Sequence, residues 1–287
     1  MSASASSRAP EAPSALRRRI EAALAPMVPA RHEARFIAED ALAAGGGDPI
    51  AYALELARRR AAGEPLQHVL GHWGFRRLDV LTDRRALVPR PETETLVSVA
   101  LSALARVEGE RFPLLGADLG TGSGVIACCL ASESVRPVVV HATDLSEPAL
   151  ALAAENVARC LEVSSQGRVV VHRGSWFDAL PSDLEGELDL VVSNPPYLAE
   201  AEWRELDAVV RDYDPPAALI AGPTGLECLE QLVVGGRQWL RPGGAIALEC
   251  APHQAPELLR LAGAVGYHSP AVARDLAGRD RILLAWR

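Results

Sequence analysis

A glycine-rich turn between an apolar strand and a helix could bind a nucleoside-like ligand. The apolar run at 114–118 leads into residues 118–124, Asp-Leu-Gly-Thr-Gly-Ser-Gly, and an apolar helical segment follows at once. Glycine lets the backbone turn tightly, and a ligand can approach the first N–H groups of the helix because no Cβ stands in the way. By itself the pattern is a weak indication, since an ordinary strand-to-helix turn can have the same sequence.

An acidic residue at the end of the next predicted strand favours the ligand-binding interpretation. Asp144 follows Gly124 by 20 residues, a spacing at which a carboxylate can accept hydrogen bonds from ribose hydroxyls. The loop has the spacing G-x-G-x-G and not the G-x-G-x-x-G that is typical of pyrophosphate binding. We therefore expect S-adenosylmethionine rather than NAD. The candidate cofactor-binding residues are Asp118, Gly120, Thr121, Gly122, Ser123, Gly124, Asp144, Leu145, Ser175, Trp176 and Asn194.

Ser175 and Trp176 belong to this set because they follow the third predicted strand, at 168–172. They would lie beside the adenine ring of the ligand. Packing in the core is the alternative for Trp176, because tryptophan is large, amphipathic and often half-buried.

The tetrapeptide Asn194-Pro195-Pro196-Tyr197 is a second candidate site, because it follows the apolar run at 188–193. Open α/β sheets bind ligands at the carboxyl ends of their strands. The prolines fix φ and restrict the residues before them. The Asn194 side-chain oxygen and the Pro195 carbonyl oxygen are therefore expected to be two fixed acceptors, which match the two hydrogens of a planar NH₂ group. Tyr197 would stack on that group.

Such a pair of acceptors would assist methyl transfer to a planar amino group. The nitrogen of such a group is a poor nucleophile because its lone pair is delocalised. Hydrogen bonds to both hydrogens align the group and stabilise the positive charge that develops during attack. Asn194, Pro195, Pro196 and Tyr197 are thus the predicted catalytic residues. Adenine N6, guanine N2 and the glutamine side-chain amide all fit this chemistry, so these residues leave the substrate open.

Composition disfavours several classes of protein. Lys+Arg is 29 and Asp+Glu is 37 in 287 residues, a formal net charge of −8, whereas proteins that bind nucleic acid through its phosphates carry a basic surface. Five scattered cysteines lack the spacing of a zinc site or a disulfide framework. No apolar run approaches the ~20 residues of a membrane span. We expect a monomeric cytoplasmic protein without a metal, without membrane contact and without stable nucleic-acid binding.

The pattern of apolar residues changes twice along the chain. The predicted segments are a disordered N-terminus at 1–14, a helical domain at 15–74, a β-hairpin linker at 75–91 and an α/β domain at 92–287. The hairpin strands are predicted at 78–81 and 86–88, with a turn at Thr82-Asp83. Strands and helices alternate in the last segment, which predicts a mainly parallel seven-stranded sheet covered by helices.

The glycine loop, Asp144 and the Asn-Pro-Pro-Tyr tetrapeptide together resemble a class I methyltransferase of the protein-(glutamine-N5) kind, the HemK/PrmC family. This family modifies peptide chain release factors. The resemblance covers residues 50–287, and further matching segments lie at 63–71, 87–97, 214–226, 241–249 and 275–281.

The resemblance implies a Rossmann-like domain that transfers a methyl group from S-adenosylmethionine to the glutamine of the Gly-Gly-Gln motif in class 1 release factors, with S-adenosylhomocysteine as the other product. The implied contacts are residues 120–124, Asp144, Trp176 and Asn194 with the cofactor, and residues 194–197 with the target glutamine. The helical domain would help to hold the release factor. The segment 89–94 would border the active site, where Arg90 and Glu92 would bind substrate, with a structural interdomain linker as the alternative role for the segment.

Three alternatives share parts of this pattern. DNA adenine or RNA guanine methyltransferases use the same acceptors, but they usually add a basic surface to present a flipped base. Enzymes that methylate a glutamine of a ribosomal protein typically differ in the Pro-Glu-Thr-Glu segment at 91–94. A binding protein without activity would show damage to the glycine loop or to Asn194-Pro195, and both are intact.

Overall fold

The computed structural model describes residues 13–45, 47–109, 111–161 and 167–287. The segment 1–14, predicted to be disordered, lies outside the described residues except for its last two, which begin the first helix. The chain divides into two compact units, one that ends at Gly71 and one that runs from His72 to Arg287. The observed division thus falls before the predicted hairpin linker, and the hairpin is part of the second unit.

The first unit is helical. Its elements are α1 (Pro13–Leu24), α2 (Arg31–Ala43), α3 (Pro49–Ala61) and α4 (Leu66–Leu70). Apolar residues at helical spacing, such as Leu24, Ile37 and Leu56, are fully buried. An ion pair between Arg60 Nε and Glu33 Oε2, 2.8 Å apart, joins α3 to α2. None of the described helices of either unit is long and apolar enough to cross a bilayer.

The second unit alternates strands and helices. In chain order its elements are β1 (His72–Phe75), β2 (Leu78–Leu81), α5 (Thr93–Arg106), β3 (Leu114–Leu119), α6 (Val125–Glu133), β4 (Val138–Asp144), α7 (Glu147–Cys160), β5 (Arg168–Arg173), β6 (Leu188–Ser193), β7 (Leu198–Ala199), α8 (Glu200–Arg204), α9 (Ala208–Tyr213), β8 (Ile220–Gly222), α10 (Glu227–Trp239), β9 (Leu240–Glu249), α11 (Ala255–Val265), β10 (His268–Arg274) and β11 (Asp280–Trp286).

The central sheet has the strand order β5-β4-β3-β6-β9-β11-β10. The five strands from β5 to β9 are parallel, and β11 and β10 are antiparallel to their neighbours. Side chains of α5 and α6 pack on one face of the sheet, and those of α10 and α11 pack on the other. This is the predicted α/β architecture, with helices on both faces of a seven-stranded, mainly parallel sheet.

The predicted hairpin is wrong in one of its strands. Residues 78–81 form a strand as predicted, but they pair with 72–75 and not with 86–88. The buried side chain of Asn156 on α7 explains why the pairing ends at Leu81. Its Oδ1 accepts from the Leu81 N–H at 2.7 Å and its Nδ2 donates to the Leu81 carbonyl at 3.1 Å. Residues 86–88 instead line the cavity described below.

Several further elements are absent from the sequence prediction, which are α5, β7, α8, α9, β8 and β10. Helix α5 lies in a stretch for which no element was predicted, and it buries Leu96, Val97 and Ala100 against the sheet. Strand β10 is the edge strand beside β11, and its residues are mostly exposed or half-buried. The missing apolar alternation explains why the pattern did not reveal β10.

The strand order reverses between β3 and β6. After β3 the chain continues to β4 on one side, whereas β6 lies directly on the other side of β3. Ligands of open α/β sheets bind at such a switch point, at the carboxyl ends of the strands. The glycine loop follows β3 and Asn194 follows β6, so the fold brings both predicted sites to one edge.

Candidate active site

A cavity of about 330 Å³ opens at this edge of the sheet. The predicted residues that line it are Arg90, Gly120, Thr121, Gly122, Ser123, Asp144, Leu145, Trp176, Asn194 and Pro196. The predicted residues that lie outside its lining are Glu92, Asp118, Gly124, Ser175, Pro195 and Tyr197. Two further groups of residues also form its walls, which are Arg85, Ala86, Leu87, Val88 and Pro89, and Pro215, Ala217, Ala218 and Ile220.

The three glycines of the loop have different roles. All have positive φ, +71° at Gly120, +54° at Gly122 and +78° at Gly124, a region that side chains other than glycine rarely adopt. A Cβ at Gly120 would lie 3.0 Å from Cζ3 of Trp176, and one at Gly124 would lie 3.0 Å from Cβ of Ala153 on α7. A Cβ at Gly122 would come no nearer than 3.9 Å to another atom. Gly122 therefore keeps space open in the cavity, whereas Gly124 serves helix packing.

Asp118 stabilises the glycine loop through hydrogen bonds of its buried carboxylate. Its Oδ2 accepts from the Thr121 hydroxyl at 2.6 Å and from the Ala127 N–H at 3.1 Å. The side chain is fully buried, and burial raises its pKa to about 7, because a low-dielectric surrounding disfavours the charged form. Asp118 is one of the predicted cofactor-binding residues; in the structure it supports the loop through these contacts and lies outside the cavity lining.

Asp144 holds the rim of the cavity through backbone contacts. Its Oδ2 accepts from the Gly122 N–H at 2.9 Å, and its Oδ1 accepts from the Ser146 N–H at 2.8 Å. Each carboxylate oxygen has a further lone pair, so the side chain can accept additional hydrogen bonds from a ligand. Leu145 beside it is 67% exposed, which offers an apolar surface to a ligand ring.

Trp176 forms a wall of the cavity through an unusual backbone conformation. Its φ is +41°, a conformation that costs energy for a residue with a Cβ. The turn directs the indole ring over Gly120 and into the lining of the cavity. Trp176 therefore has both of the roles expected for it, because its indole packs on the glycine loop and also faces the cavity. Ser175 precedes this turn and does not line the cavity.

The Asn-Pro-Pro-Tyr segment is fixed by polar contacts on both sides. Asn194 Nδ2 donates to Thr93 Oγ1 at 3.1 Å, and Thr93 Oγ1 donates to Glu249 Oε2 at 2.8 Å. On the other side, Gln254 Nε2 donates to the Tyr197 carbonyl at 2.8 Å and to the Gly225 carbonyl at 2.9 Å. The sequence placed Thr93 only within a segment that borders the site, and it predicted no role in the site for Glu249 or Gln254.

Tyr197 is half-buried, and burial raises the pKa of its phenol to about 12. The phenol is therefore neutral at physiological pH and presents a flat apolar ring with a hydroxyl at its tip. It lies next to the cavity lining, beside Pro196, and not within it.

The two predicted substrate-binding residues differ in their surroundings. Arg90 lines the cavity, and its Nη2 donates to Oδ2 of the buried Asp214 at 2.5 Å. Glu92 accepts from Arg279 Nη2 at 2.9 Å, and Arg279 Nε donates to Asp275 at 2.8 Å. Arg90 thus joins the two walls of the cavity, and Glu92 ties the start of α5 to the turn between β10 and β11.

The described residues hold no cluster of three or more His, Cys, Asp or Glu side chains that could bind a metal ion.

A family model described as methyltransferase small domain matches residues 112–212. That range contains the glycine loop, Asp144, Trp176 and Asn194.

Curated relatives cover most of this chain. A release factor glutamine methyltransferase of Deinococcus radiodurans is 43% identical over 244 residues, which are 84% of this chain and 81% of that protein. Another, from Xylella fastidiosa, is 39% identical over 227 residues, 79% of this chain and 78% of that protein. The chain belongs to the release factor glutamine methyltransferase family. The family suggested by the sequence motifs is thereby confirmed, and the protein is an enzyme that transfers methyl groups.

Solved structures agree with the fold of this methyltransferase. The crystal structure of the hMettl16 catalytic domain in complex with a 3'UTR hairpin matches with a TM-score of 0.56 over 83% of this chain and 81% of that chain, at 15% identity. At that identity the match shows the fold alone. The predicted class I methyltransferase architecture is therefore confirmed.

The first testable prediction concerns Asp144. Replacing it with alanine removes the acceptor at the rim of the cavity and frees the Gly122 N–H. We expect Asp144→Ala to weaken S-adenosylmethionine binding by about tenfold or more, measured by calorimetry. Glu147→Ala is the matched control, because Glu147 lies on the same turn and its side chain is 74% exposed. Equal affinities of the two variants would contradict a role of Asp144 in binding.

The second prediction separates two glycines of one loop. Gly124→Ala adds a contact of 3.0 Å with Ala153 to the strain of positive φ, so it should lower Tm more than Gly122→Ala does. Gly122→Ala should instead cause the larger loss of S-adenosylmethionine affinity, because its Cβ enters the cavity. Thermal unfolding and calorimetry on both variants test this crossed result, and the same rank order in both measurements would contradict it.

Proposed function

We propose that the protein transfers the methyl group of S-adenosyl-L-methionine to the side-chain amide nitrogen of the glutamine in the Gly-Gly-Gln motif of class 1 peptide chain release factors. One observation carries the proposal. Asn194 lines the same cavity as the glycine loop, and its amide nitrogen is already bonded to Thr93. Its amide oxygen is therefore the atom that can accept a hydrogen bond from a planar amino group in the cavity.

The residues present fit S-adenosylmethionine. The cavity of about 330 Å³ lies within the range of small-molecule sites, and Gly122 leaves room that a Cβ would fill. The glycine loop and Asp144 would hold the nucleoside, and Trp176 and Leu145 would flank its base. When bound, this cofactor supplies an electrophilic methyl group on a positively charged sulfur.

Asn194 and Pro195 would prepare the target nitrogen. An amide nitrogen is a poor nucleophile because its lone pair is delocalised into the carbonyl group. Hydrogen bonds from its two hydrogens to Asn194 Oδ1 and to the Pro195 carbonyl would align it and stabilise the positive charge that develops on it. The nitrogen would lose one of its two protons as it gains the methyl group; because both acceptors are neutral carbonyl oxygens, this proton would pass to solvent water. Tyr197 would stack on the flat amide.

The release factor would be held outside this cavity. We propose that the helical first unit contributes to its recognition, and that Arg90 and Glu92 lie along the approach of the target glutamine. The position of Arg90 in the cavity lining supports this proposal. Glu92 follows Arg90 by two residues, and its carboxylate accepts a hydrogen bond from Arg279. Because release factors act on ribosomes, we also propose that the enzyme acts in the cytoplasm.

The direct test of this function is methyl transfer from labelled S-adenosylmethionine. The acceptors are a purified release factor, the same factor with alanine in place of the Gly-Gly-Gln glutamine, DNA and ribosomal RNA, and mass spectrometry maps the labelled site. We expect label on that glutamine alone. Label on nucleic acid with none on the factor would contradict the proposed substrate. In a parallel assay with ribosomes as acceptor, label on a ribosomal-protein glutamine with none on the factor would point to the ribosomal protein as substrate.

The third prediction tests the acceptor pair. Asn194→Ala removes one acceptor, and loss of a donor or acceptor that stabilises developing charge typically costs about 100-fold in turnover. We expect kcat to fall by about 100-fold, with a much smaller change in S-adenosylmethionine affinity. Steady-state kinetics with the release factor and calorimetry measure the two effects. Turnover near that of the wild type would contradict the role of Asn194.

A further inference from the structure

Three side chains from distant parts of the sequence form a hydrogen-bonded chain at the cavity, and two of them, Thr93 and Asn194, line it. Glu249 is the last residue of β9, Thr93 is the first residue of α5, and Asn194 follows β6. Glu249 and Thr93 are buried, with 1% and 3% of their surfaces exposed. The Thr93 hydroxyl lies 2.8 Å from Glu249 Oε2 and 3.1 Å from Asn194 Nδ2.

The chemistry of these groups fixes the direction of each hydrogen bond. An ionised carboxylate can only accept, so the hydroxyl hydrogen of Thr93 points to Glu249. The Thr93 oxygen is then left as an acceptor toward Asn194. Only the NH₂ end of the Asn194 amide can donate to it, which leaves Oδ1 at the opposite end of the amide. The alternative orientation, with the oxygen facing Thr93, would set two acceptors against each other.

We propose that Thr93 and Glu249 are positioning residues that hold the Asn194 amide with Oδ1 available to the target NH₂ group. The inference rests on the proposed function for its consequence in catalysis. A flipped Asn194 amide would present its own NH₂ to the NH₂ of the target, and two donors repel each other. Asn194 can therefore accept a hydrogen bond from the target NH₂ group only when its amide oxygen, and not its NH₂ end, faces that group.

The orientation depends on the ionisation of Glu249. Burial raises the pKa of this carboxyl to about 7. The charged groups that face it are Arg281 on β11 and Arg90 and Glu92 before α5, and the neighbouring titratable groups are the Tyr197 phenol and the Cys250 thiol. Below pH 7 a protonated Glu249 can donate to Thr93. The Thr93 hydroxyl hydrogen is then released to bond the Asn194 oxygen, so both orientations become possible.

A matched pair of substitutions tests the chain kinetically. Thr93→Val removes the hydroxyl at nearly constant shape, whereas Thr93→Ser keeps it. We expect Thr93→Val to lower kcat for the release factor by about tenfold or more with little change in KM for either substrate, and Thr93→Ser to restore most of the rate. In an Asn194→Ala background, Thr93→Val should have no further effect on kcat. An equal loss in both backgrounds would show that Thr93 acts independently of Asn194 and would overturn the proposal.

A spectroscopic measurement reads the amide without any substrate. The chain has only two asparagines, Asn156 and Asn194, so labelling with ¹⁵N-asparagine gives two pairs of side-chain amide signals in an NMR spectrum. Asn194→Ala assigns them by removing one pair. Thr93→Val should shift and broaden the Asn194 pair and leave the Asn156 pair unchanged, because Asn156 bonds to Leu81 and Ser123. Thr93→Ser should leave both pairs close to their wild-type positions.

The same spectra test the role of Glu249. On lowering the pH from 8.5 to 5.5, the Asn194 pair should titrate with a midpoint near 7, and Glu249→Gln should abolish this titration. Signals of Asn194 that are insensitive to both Thr93→Val and pH would overturn the proposal.

The two readouts keep this inference separate from the proposed function. Absence of methyl transfer from the wild-type enzyme to the release factor would contradict the proposed substrate. The NMR result would still decide whether Thr93 and Glu249 orient Asn194.

Discussion

The pairing of β3 with β6 is the constraint on which the site depends. Gly116, Ala117 and Asp118 pair in parallel with Leu190, Val191 and Val192, so the two strands end at the same level. The fully buried carboxylate of Asp189 on β6 secures this pairing. It accepts from the Leu115 N–H at 2.7 Å and from Arg241 Nε at 2.5 Å. Because the register is fixed, the glycine loop and Asn194 must lie side by side at one edge of the sheet.

Hydrogen bonds between side chains and specific partners tie the walls of the site together. Asn156 joins the hairpin to the Ser123 carbonyl, Gln254 joins Tyr197 to Gly225, and Arg90 joins the segment before α5 to Asp214. Each contact has at least one buried partner, such as the Asp214 carboxylate that accepts from the 38% exposed Arg90, and loss of the other partner would leave that buried group unsatisfied at a cost. Such contacts hold catalytic atoms in place before a substrate arrives, which is how an enzyme favours attack by a weak nucleophile.

The sequence predicted those parts of the site that are local in the chain. Gly120, Gly122 and Asp144 could be found because a strand, a glycine turn and a second strand follow one another within about thirty residues. Asn194 could be found because two prolines follow it at a strand end. The distinction between Gly122 and Gly124 could not be predicted, because it depends on where Ala153 of α7 packs.

The remaining parts depend on contacts between residues that are far apart in sequence. Thr93 lies 101 residues from Asn194 and 156 residues from Glu249, and no periodicity or local motif connects them. The sequence placed the Pro-Glu-Thr-Glu segment at the border of the active site, but it could not show that Thr93 bonds to Asn194 and Glu249. The pairing of 72–75 with 78–81 was missed for a similar reason, since Asn156 on α7 decides where the hairpin ends.

The central claim is that Asn194 and Pro195 hold the target amide by its two hydrogens. The most direct test is a crystal structure of the protein with S-adenosylhomocysteine and a release factor. The account predicts that the nitrogen of the Gly-Gly-Gln glutamine lies within about 3 Å of both Asn194 Oδ1 and the Pro195 carbonyl oxygen. A glutamine whose amide oxygen faces Asn194 Nδ2, or one bound away from residues 194–197, would contradict it.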